Sequence, residues 1–219
     1  MFNPTPQQIA RIVKAEVANV IANWPKIKTQ LDKFGVSHDS GLLAAVATIG
    51  TEVPAFTPIS EYGDDDYFFR MYDMDSLSPM RRRVALSLGN VKPGDGVRFH
   101  GRGFIQTTGR SNYKALTPVL GIDCEAFPDT LLEVDHAATA LAHYFRTHGV
   151  DAWAEKAWNG LANPCRFCPG NGLLNKQRPS LKDAVCCVCG WKTVRRTVNG
   201  GLNGWDRFYP IVQALRCLA

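Results

Sequence analysis

The chain of 219 residues is 45% hydrophobic and 21% charged, an ordinary globular composition with enough length to bury a good core. It has no low-complexity tract, no internal repeat and no apolar run near 18 residues, which excludes repeat arrays and membrane-spanning helices. The net charge of +5 is uneven: residues 1–158 hold 16 Lys/Arg against 18 Asp/Glu, whereas residues 159–219 hold 9 Lys/Arg against Asp183 and Asp206 alone. A basic end of this kind either meets something anionic, such as nucleic acid or an acidic cell envelope, or is a solvated surface.

Thr5 and Pro6 make an N-cap and a first helical position. Ile9, Ile12, Val13, Val17, Val20 and Ile21 then recur at helical spacing, which predicts one amphipathic helix over residues 6–22. Lys14 and Glu16 give it no strongly cationic face, so it faces a core rather than a membrane surface. Met1 to Trp24 also lacks the basic start and apolar middle of a signal peptide, so synthesis and storage in a cytosol are expected. A short helix is predicted from Pro25 to Phe34, and Asp39 or Ser40 caps the next one.

That next helix carries the first candidate catalytic residue. No charge separates Asp39 from Glu52, and Leu42, Ala45, Ile49 and Glu52 fall on one stripe. A carboxylate closing a buried stripe is costly to ionise and can hold a proton near neutrality. Beyond Pro54 and Pro58, Glu61 sits in a polar loop ahead of Asp64, Asp65 and Asp66, a setting that suits an ionised carboxylate. Two carboxyls in contrasting settings are what glycoside hydrolysis needs, one as acid and one as base. The plain alternative makes Glu52 a capping residue and Glu61 a surface residue. The three aspartates lack the spacing of a calcium loop and read as solvated. Tyr67 to Asp75 brings aromatics that line a groove or pack under the loop, and Arg81, Arg82 and Arg83 lie on a helix reaching Leu88.

Gly89-Asn90 and Pro93-Gly94-Asp95-Gly96 are turn signals, and Val97-Arg98-Phe99 reads as a short strand. The densest motif follows, GRGFIQTTGRSNY over residues 101–113. Its glycines permit close backbone approach, and Gln106, Thr108, Asn112 and Tyr113 offer the neutral donors, acceptors and ring face that sugars favour. A glycine-rich turn between strand and helix accounts for the spacing equally well; a phosphate loop does not, for lack of the Gly-Lys-Ser/Thr ending. Residues 130–148, Val150 to Trp158, Trp191 to Val198 and Phe208 to Cys217 read as helices. His136, His143 and His148 form no metal-binding pair at i, i+4. The Asn199–Arg207 turn can complete a binding cleft.

In this order, ATIGTE ending at Glu52, Phe-x-Pro-Ile-x-Glu-Tyr-Gly around Glu61, LGN, GDG, the 101–113 block and Asn199-Gly200-Gly201 resemble glycoside hydrolase family 19, in particular its phage endolysins. The likeness spans residues 5–158 and 191–212. It implies a mainly α, lysozyme-like two-lobed fold with a short β-hairpin at the cleft. It further implies Glu52 as general acid, Glu61 as general base, and Thr108 as a holder of the attacking water. Gln106, Asn112, Tyr113 and Asn199 would bind sugar, and Arg207 would join the network around the acid. The implied chemistry is inverting, without a catalytic cofactor. Many relatives have His before the acid and Ser/Thr after it. Here Thr51 and Val53 stand there, so these neighbours do not tell how Glu52 is oriented.

Relatives pass almost directly from the helix ending at Trp158 to the one before Asn199. The catalytic domain is thus read as residues 1–158 and 191–219, and residues 159–190 as an insert. Five of the seven cysteines lie there, and without an export signal they point to reduced thiols or metal. Cys165-x2-Cys168 and Cys186-x2-Cys189, 17 residues apart, have the spacing of a four-thiolate structural zinc knuckle, with Cys187 spare. Metal could fold a stretch with so little core, and a closed four-sulfur site leaves no room for catalysis.

The function expected is that of an endolysin cutting β-1,4 bonds in peptidoglycan glycan strands, as a muramidase. It would be held in the host bacterial cytoplasm until a separate membrane-permeabilising protein releases it. A monomer without nucleic acid or membrane insertion is expected. A chitinase acting on N-acetylglucosamine polymers uses the same residues. A zinc-ribbon nucleic-acid-binding protein would account for the basic cysteine segment but not for the carboxylates or the 101–113 block. A wall-binding protein without catalysis would not need both glutamates.

Overall fold

The computed structural model describes residues 2–160, 179–182 and 186–218. Helices α1 (Pro6–Val13), α2 (Val17–Lys33) and α3 (Asp39–Glu52) lead to strand β1 (Ile59–Ser60). Helices α4 (Asp65–Tyr72) and α5 (Pro79–Ser87) and the single turn α6 (Asp95–Arg98) precede strand β2 (Arg102–Gly103) and helix α7 (Arg110–Leu120). A 3-10 turn at Pro128–Leu132 is followed by α8 (Val134–Thr147), α9 (Val150–Trp158), α10 (Cys187–Asn199) and α11 (Trp205–Arg216). The architecture is mainly α with one small antiparallel strand pair, as the sequence implies. Among the described residues no helix is long and apolar enough to cross a membrane.

The chain divides into two compact units, Met1–Phe56 with Ala142–Ala219, and Thr57–Leu141. These boundaries fall inside what the sequence reads as one catalytic domain. Of the expected insert, residues 161–178 and 183–185 lie outside the described residues.

In the first unit, Thr5 and Gln8 form a reciprocal capping box at the start of α1, with Pro6 at its first position. The helix predicted over 6–22 is in fact two. Lys14 adopts a left-handed φ of 61°, which ends α1 after Val13, and α2 begins past Glu16. Pro25, expected to open a helix, lies inside α2, because Val20, Trp24, Ile27 and Leu31 are buried on both sides of it and tertiary packing overrides the lost hydrogen bond. Every residue of α3 from Ser40 to Gly50 is buried, so the helix is enclosed all round rather than along one stripe. Small residues make this feasible: a Cβ on Gly50 would lie 2.6 Å from Val13 Cγ1 and 3.2 Å from Ile211 Cδ1, so α1 and α11 approach as only glycine permits.

Helices α9 and α10 pack just as closely. A Cβ on Gly190 would fall 2.6 Å from Ala157 Cα, and one on Gly160 2.6 Å from the Cys187 nitrogen. The end of α9 and the start of α10 therefore lie side by side.

In the second unit the triple aspartate is a helix start rather than a loop. Asp64 accepts from the Tyr67 N–H at 2.7 Å, and Asp65 and Asp66 occupy the first turn, where negative charge suits the helix dipole. Val97 to Phe99 is not a strand, since Gly94 at φ 84° and Asp95 open the helical turn α6 in its place. Asp95 is 2% exposed and accepts from the backbone N–H groups of Val91 and Lys92, both at 3.0 Å, and from Arg110. Burial works against its charge, but the Arg110 and backbone donors outweigh it and hold its carboxyl below the usual range. Asn90, fully buried, donates to the Tyr72 carbonyl and accepts from the Arg110 N–H, each at 2.8 Å. The LGN and GDG motifs thus tie α4, α6 and α7 into one frame.

Candidate active site

The second unit holds Glu61 at the end of its strand pair. Ile59 and Ser60 face Gly103 and Arg102 in antiparallel register, and the pairing continues one residue further. The Glu61 N–H donates to the Gly101 carbonyl at 2.8 Å, and the Gly101 N–H donates back to Glu61 Oε2 at 3.0 Å. The Tyr72 hydroxyl donates to Glu61 Oε1 at 2.8 Å. Burial, and then the bond to Glu61, push the Tyr72 phenol well above its ordinary value of 10.0, so it keeps its proton and keeps donating. Backbone and side chain of Glu61 are both anchored.

Around Gly101 three side chains converge. A Cβ there would lie 2.9 Å from Gln106 Oε1, 3.0 Å from Glu61 Oε2 and 3.3 Å from Thr108 Oγ1, so a larger residue would push these oxygens from their places. Gln106 has a positive φ of 54° and donates from Nε2 to the carbonyls of Ile59 at 3.1 Å and Gly103 at 3.0 Å, which fixes its oxygen toward Gly101. The Thr108 hydroxyl donates to the Gln106 carbonyl at 2.9 Å, leaving its lone pairs free to accept. Asn112 is exposed and donates to the Thr108 carbonyl at 2.7 Å.

Tyr113 departs from the expectation that it binds sugar. It is fully buried with Phe99, Leu116, Cys124 and Leu131, and its hydroxyl donates to the His100 carbonyl at 2.8 Å and accepts from Arg102 at 3.0 Å. With its ring in the core and its hydroxyl satisfied, its task is to hold the 100–102 backbone.

The first unit holds Glu52, the last residue of α3. The stripe it closes does not end in apolar surroundings. Arg195 of α10, 3% exposed at its side chain, donates from Nη1 to Glu52 Oε1 in a close ion pair and from Nε to the Asn203 carbonyl at 2.7 Å. This pair orients Glu52 without a preceding histidine. Thr51 takes no part, since its hydroxyl donates back to the Ala47 carbonyl at 2.7 Å, and Val53 is buried. Gly204 completes the mount: at φ 72° a Cβ there would lie 2.9 Å from Thr51 Cγ2 and 3.1 Å from Arg195 Nη2. The Asn199–Arg207 turn therefore serves the acid through Asn203 and Gly204.

Asn199 itself is exposed at the end of α10. Arg207, expected near the acid, lines a cavity of about 480 Å³ with Ile12, Lys14, Asp206, Pro210 and Ile211; the arginine on Glu52 is Arg195. Cys186 caps α10, its sulfur accepting from the Cys189 N–H at 3.4 Å, and Cys189 is buried. Their proposed zinc partners Cys165 and Cys168 lie outside the described residues.

Sequence reasoning missed Arg195 and Tyr72. Arg195 left a sign: it falls among Trp191, Val194 and Cys189 on the apolar side of α10, and a charge on a buried face needs a partner. Tyr72 left a weaker one, a hydroxyl one helical turn after the buried Phe68.

No family model matches the chain. It is 26% identical over 209 residues to a glycosyl hydrolase family 19 domain-containing protein of Haemophilus influenzae, an alignment covering 88% of this chain and 86% of that protein. Among solved structures it is similar to a mutant of chitinase C, at 16% identity and TM-score 0.52, over 96% of this chain and 76% of that one. A structure of chitinase C from Streptomyces griseus HUT6037 aligns over the same shares, also at 16% identity, with a TM-score of 0.46. The first structural likeness shows a shared fold.

Removing Arg195 leaves Glu52 part-buried without its cation. Arg195→Met is expected to cost about 3 kcal/mol in urea unfolding, and Arg195→Lys less, since the charge remains while the bond to Asn203 goes. A loss under about 0.5 kcal/mol for Arg195→Met would show that the pair does not hold the site together.

Proposed function

We propose that the protein is a glycoside hydrolase of the family 19 kind, an endolysin that cuts β-1,4 bonds of peptidoglycan as a muramidase. The observation that carries this reading is the mounting of Glu61. A carboxylate fixed by Tyr72 and Gly101, with Gln106 and Thr108 beside it, is a base poised for one water. The similarity in sequence to a family 19 protein supports the same reading.

In the proposed mechanism Glu61 takes a proton from water while Thr108 Oγ1 accepts the other water hydrogen, which aims the oxygen lone pair at the anomeric carbon. Glu52, oriented by Arg195 through Oε1, gives a proton carried on Oε2 to the departing glycosidic oxygen. The C–O bond to the leaving sugar breaks as the bond to the water oxygen forms, with inversion at the anomeric carbon. Asn112 and Asn199, both exposed, bind sugar hydroxyls, as does the oxygen of Gln106. The enzyme is held in the host cytoplasm and reaches the wall once a membrane-permeabilising protein opens the way, and its basic C-terminal part favours the anionic envelope.

A structural zinc on Cys165, Cys168, Cys186 and Cys189 belongs to the same proposal, supported by the paired spacing and by the position of Cys186 and Cys189 at the first turn of α10. About one zinc per chain is expected by metal analysis of reduced protein, falling in Cys186→Ser. Metal-free protein of unchanged thermal stability would remove the zinc from the account.

Purified protein is expected to release reducing sugars from cell walls, with Glu52→Gln and Glu61→Gln each at least about a thousandfold slower. Mass spectrometry of the fragments should find muramic acid at the reducing end. N-acetylglucosamine there would indicate a glucosaminidase or chitinase, and wild-type activity in Glu52→Gln would sink the hydrolase reading.

A further inference from the structure

His100 stands one residue before the glycine that anchors Glu61, and its ring is held on three sides. Nδ1 lies 2.6 Å from the Val97 carbonyl, Nε2 lies 2.8 Å from the Ser60 hydroxyl, and the ring stacks on Phe68 with centroids 4.1 Å apart and planes 6° apart. A carbonyl only accepts, so Nδ1 carries the hydrogen. In the neutral ring Nε2 is then a bare lone pair, and the Ser60 hydroxyl donates to it. Ser60 precedes Glu61 just as His100 precedes Gly101. The 60–61 and 100–101 segments are thus joined by a side-chain bond at one position and by two bonds between Glu61 and Gly101 at the next.

We propose that His100 is a positioning residue for Glu61, and that its protonation loosens this mount and weakens Glu61 as a base. The inference rests on Glu61 being the base of the proposed reaction. Gaining a proton on Nε2 forces the Ser60 hydroxyl to turn its own hydrogen away and reverses the bond. It also places a cation beside Glu61, and a carboxylate next to a cation gives up less in holding its charge, so it is the poorer base.

The charged groups facing the ring are Glu61 across the strand pair, Arg102 on β2 and Asp129 in the 3-10 turn; α4 contributes the Phe68 ring, and α6 the Val97 carbonyl. Burial is the largest influence and lowers the imidazole from its ordinary 6.5; Arg102 lowers it further, while the Val97 bond, Glu61 and Asp129 act in the opposite direction. The ring is therefore neutral at pH 7 and charges only in more acid solution. The acid side of the rate profile then contains two linked ionisations, one of them outside the reacting pair.

The test uses full-length protein, with kcat/KM measured against pH on cell walls and the His100 ring titrated by NMR. In wild type log kcat/KM is expected to fall on the acid side with a slope steeper than one. In His100→Asn and in Ser60→Ala the acid limb is expected to move about half a pH unit lower, so that activity at the acid end relative to the maximum rises about threefold. At neutral pH both variants should lose about threefold to tenfold in kcat with KM unchanged, as looser mounting of a base predicts. In Glu61→Gln, inactive and independent of any effect on the His100 fold, the His100 titration should move to lower pH because a facing negative charge is gone. An acid limb unchanged in both variants, or a His100 titration unmoved in Glu61→Gln, overturns the proposal while leaving Glu61 as base. Activity retained in Glu61→Gln overturns the base assignment and His100's role with it.

Discussion

The hydrogen-bonded pairing of residues 59–61 with residues 101–103 is the constraint on which the candidate site depends. It is a very short pair, yet each of its groups is put to use. The backbone of Glu61 is tied to Gly101, the side chain of Glu61 to the Gly101 N–H, and the amide of Gln106 to the carbonyls of Ile59 and Gly103. Polar groups bonded in this way lose little mobility when a substrate arrives, because they have lost it on folding. Glycine at position 101 keeps this arrangement, since a side chain there would displace the oxygens of Gln106, Glu61 and Thr108.

Motifs that look catalytic in sequence are largely spent on this mounting. Asn90 and Asp95 touch no candidate reacting group; they fix α4 against α6 and α7, and α4 delivers Tyr72 to Glu61. Tyr113 and Arg102 bond to one another in the core, where they hold the backbone of residues 98–102. In the other unit the glycine-rich turn after α10 supplies the Asn203 carbonyl to Arg195, and Arg195 to Glu52. In each unit these polar groups form the scaffold that holds a candidate carboxylate.

How much of this could be read beforehand follows from the range of each interaction. Helices α5, α9, α10 and α11 and the helix ending at Glu52 were legible because 3.6-residue periodicity is local, although α3 opens from His38 without a side-chain cap, and Asp39, one of the two expected caps, lies in its first turn. The break at Lys14 was not, because the hydrophobic spacing runs straight through it and only a left-handed backbone interrupts it. The continuation through Pro25 was hidden for the opposite reason, since burial along α2 overrode a local breaker. Glu61 was visible as one of a carboxylate pair, but Tyr72 and Gly101 were not visible as its partners, 11 and 40 residues away. Arg195 is 143 residues from Glu52, a pairing that no spacing argument reaches. Tyr113 misled because a ring in a sugar-binding pattern reads alike whether it faces a ligand or the core.

The central claim is the proposed division of labour, in which Glu61 takes a proton from an attacking water and Glu52 gives one to the leaving oxygen. Proton NMR of the products in the first minutes of reaction, before the sugar anomers equilibrate, tests this directly. The account predicts that cleavage of a β-1,4 bond yields the α-anomer first, drifting toward the equilibrium mixture afterwards. The β-anomer appearing first would mean a retained configuration, and would contradict the assignment of Glu61 as the base for an attacking water.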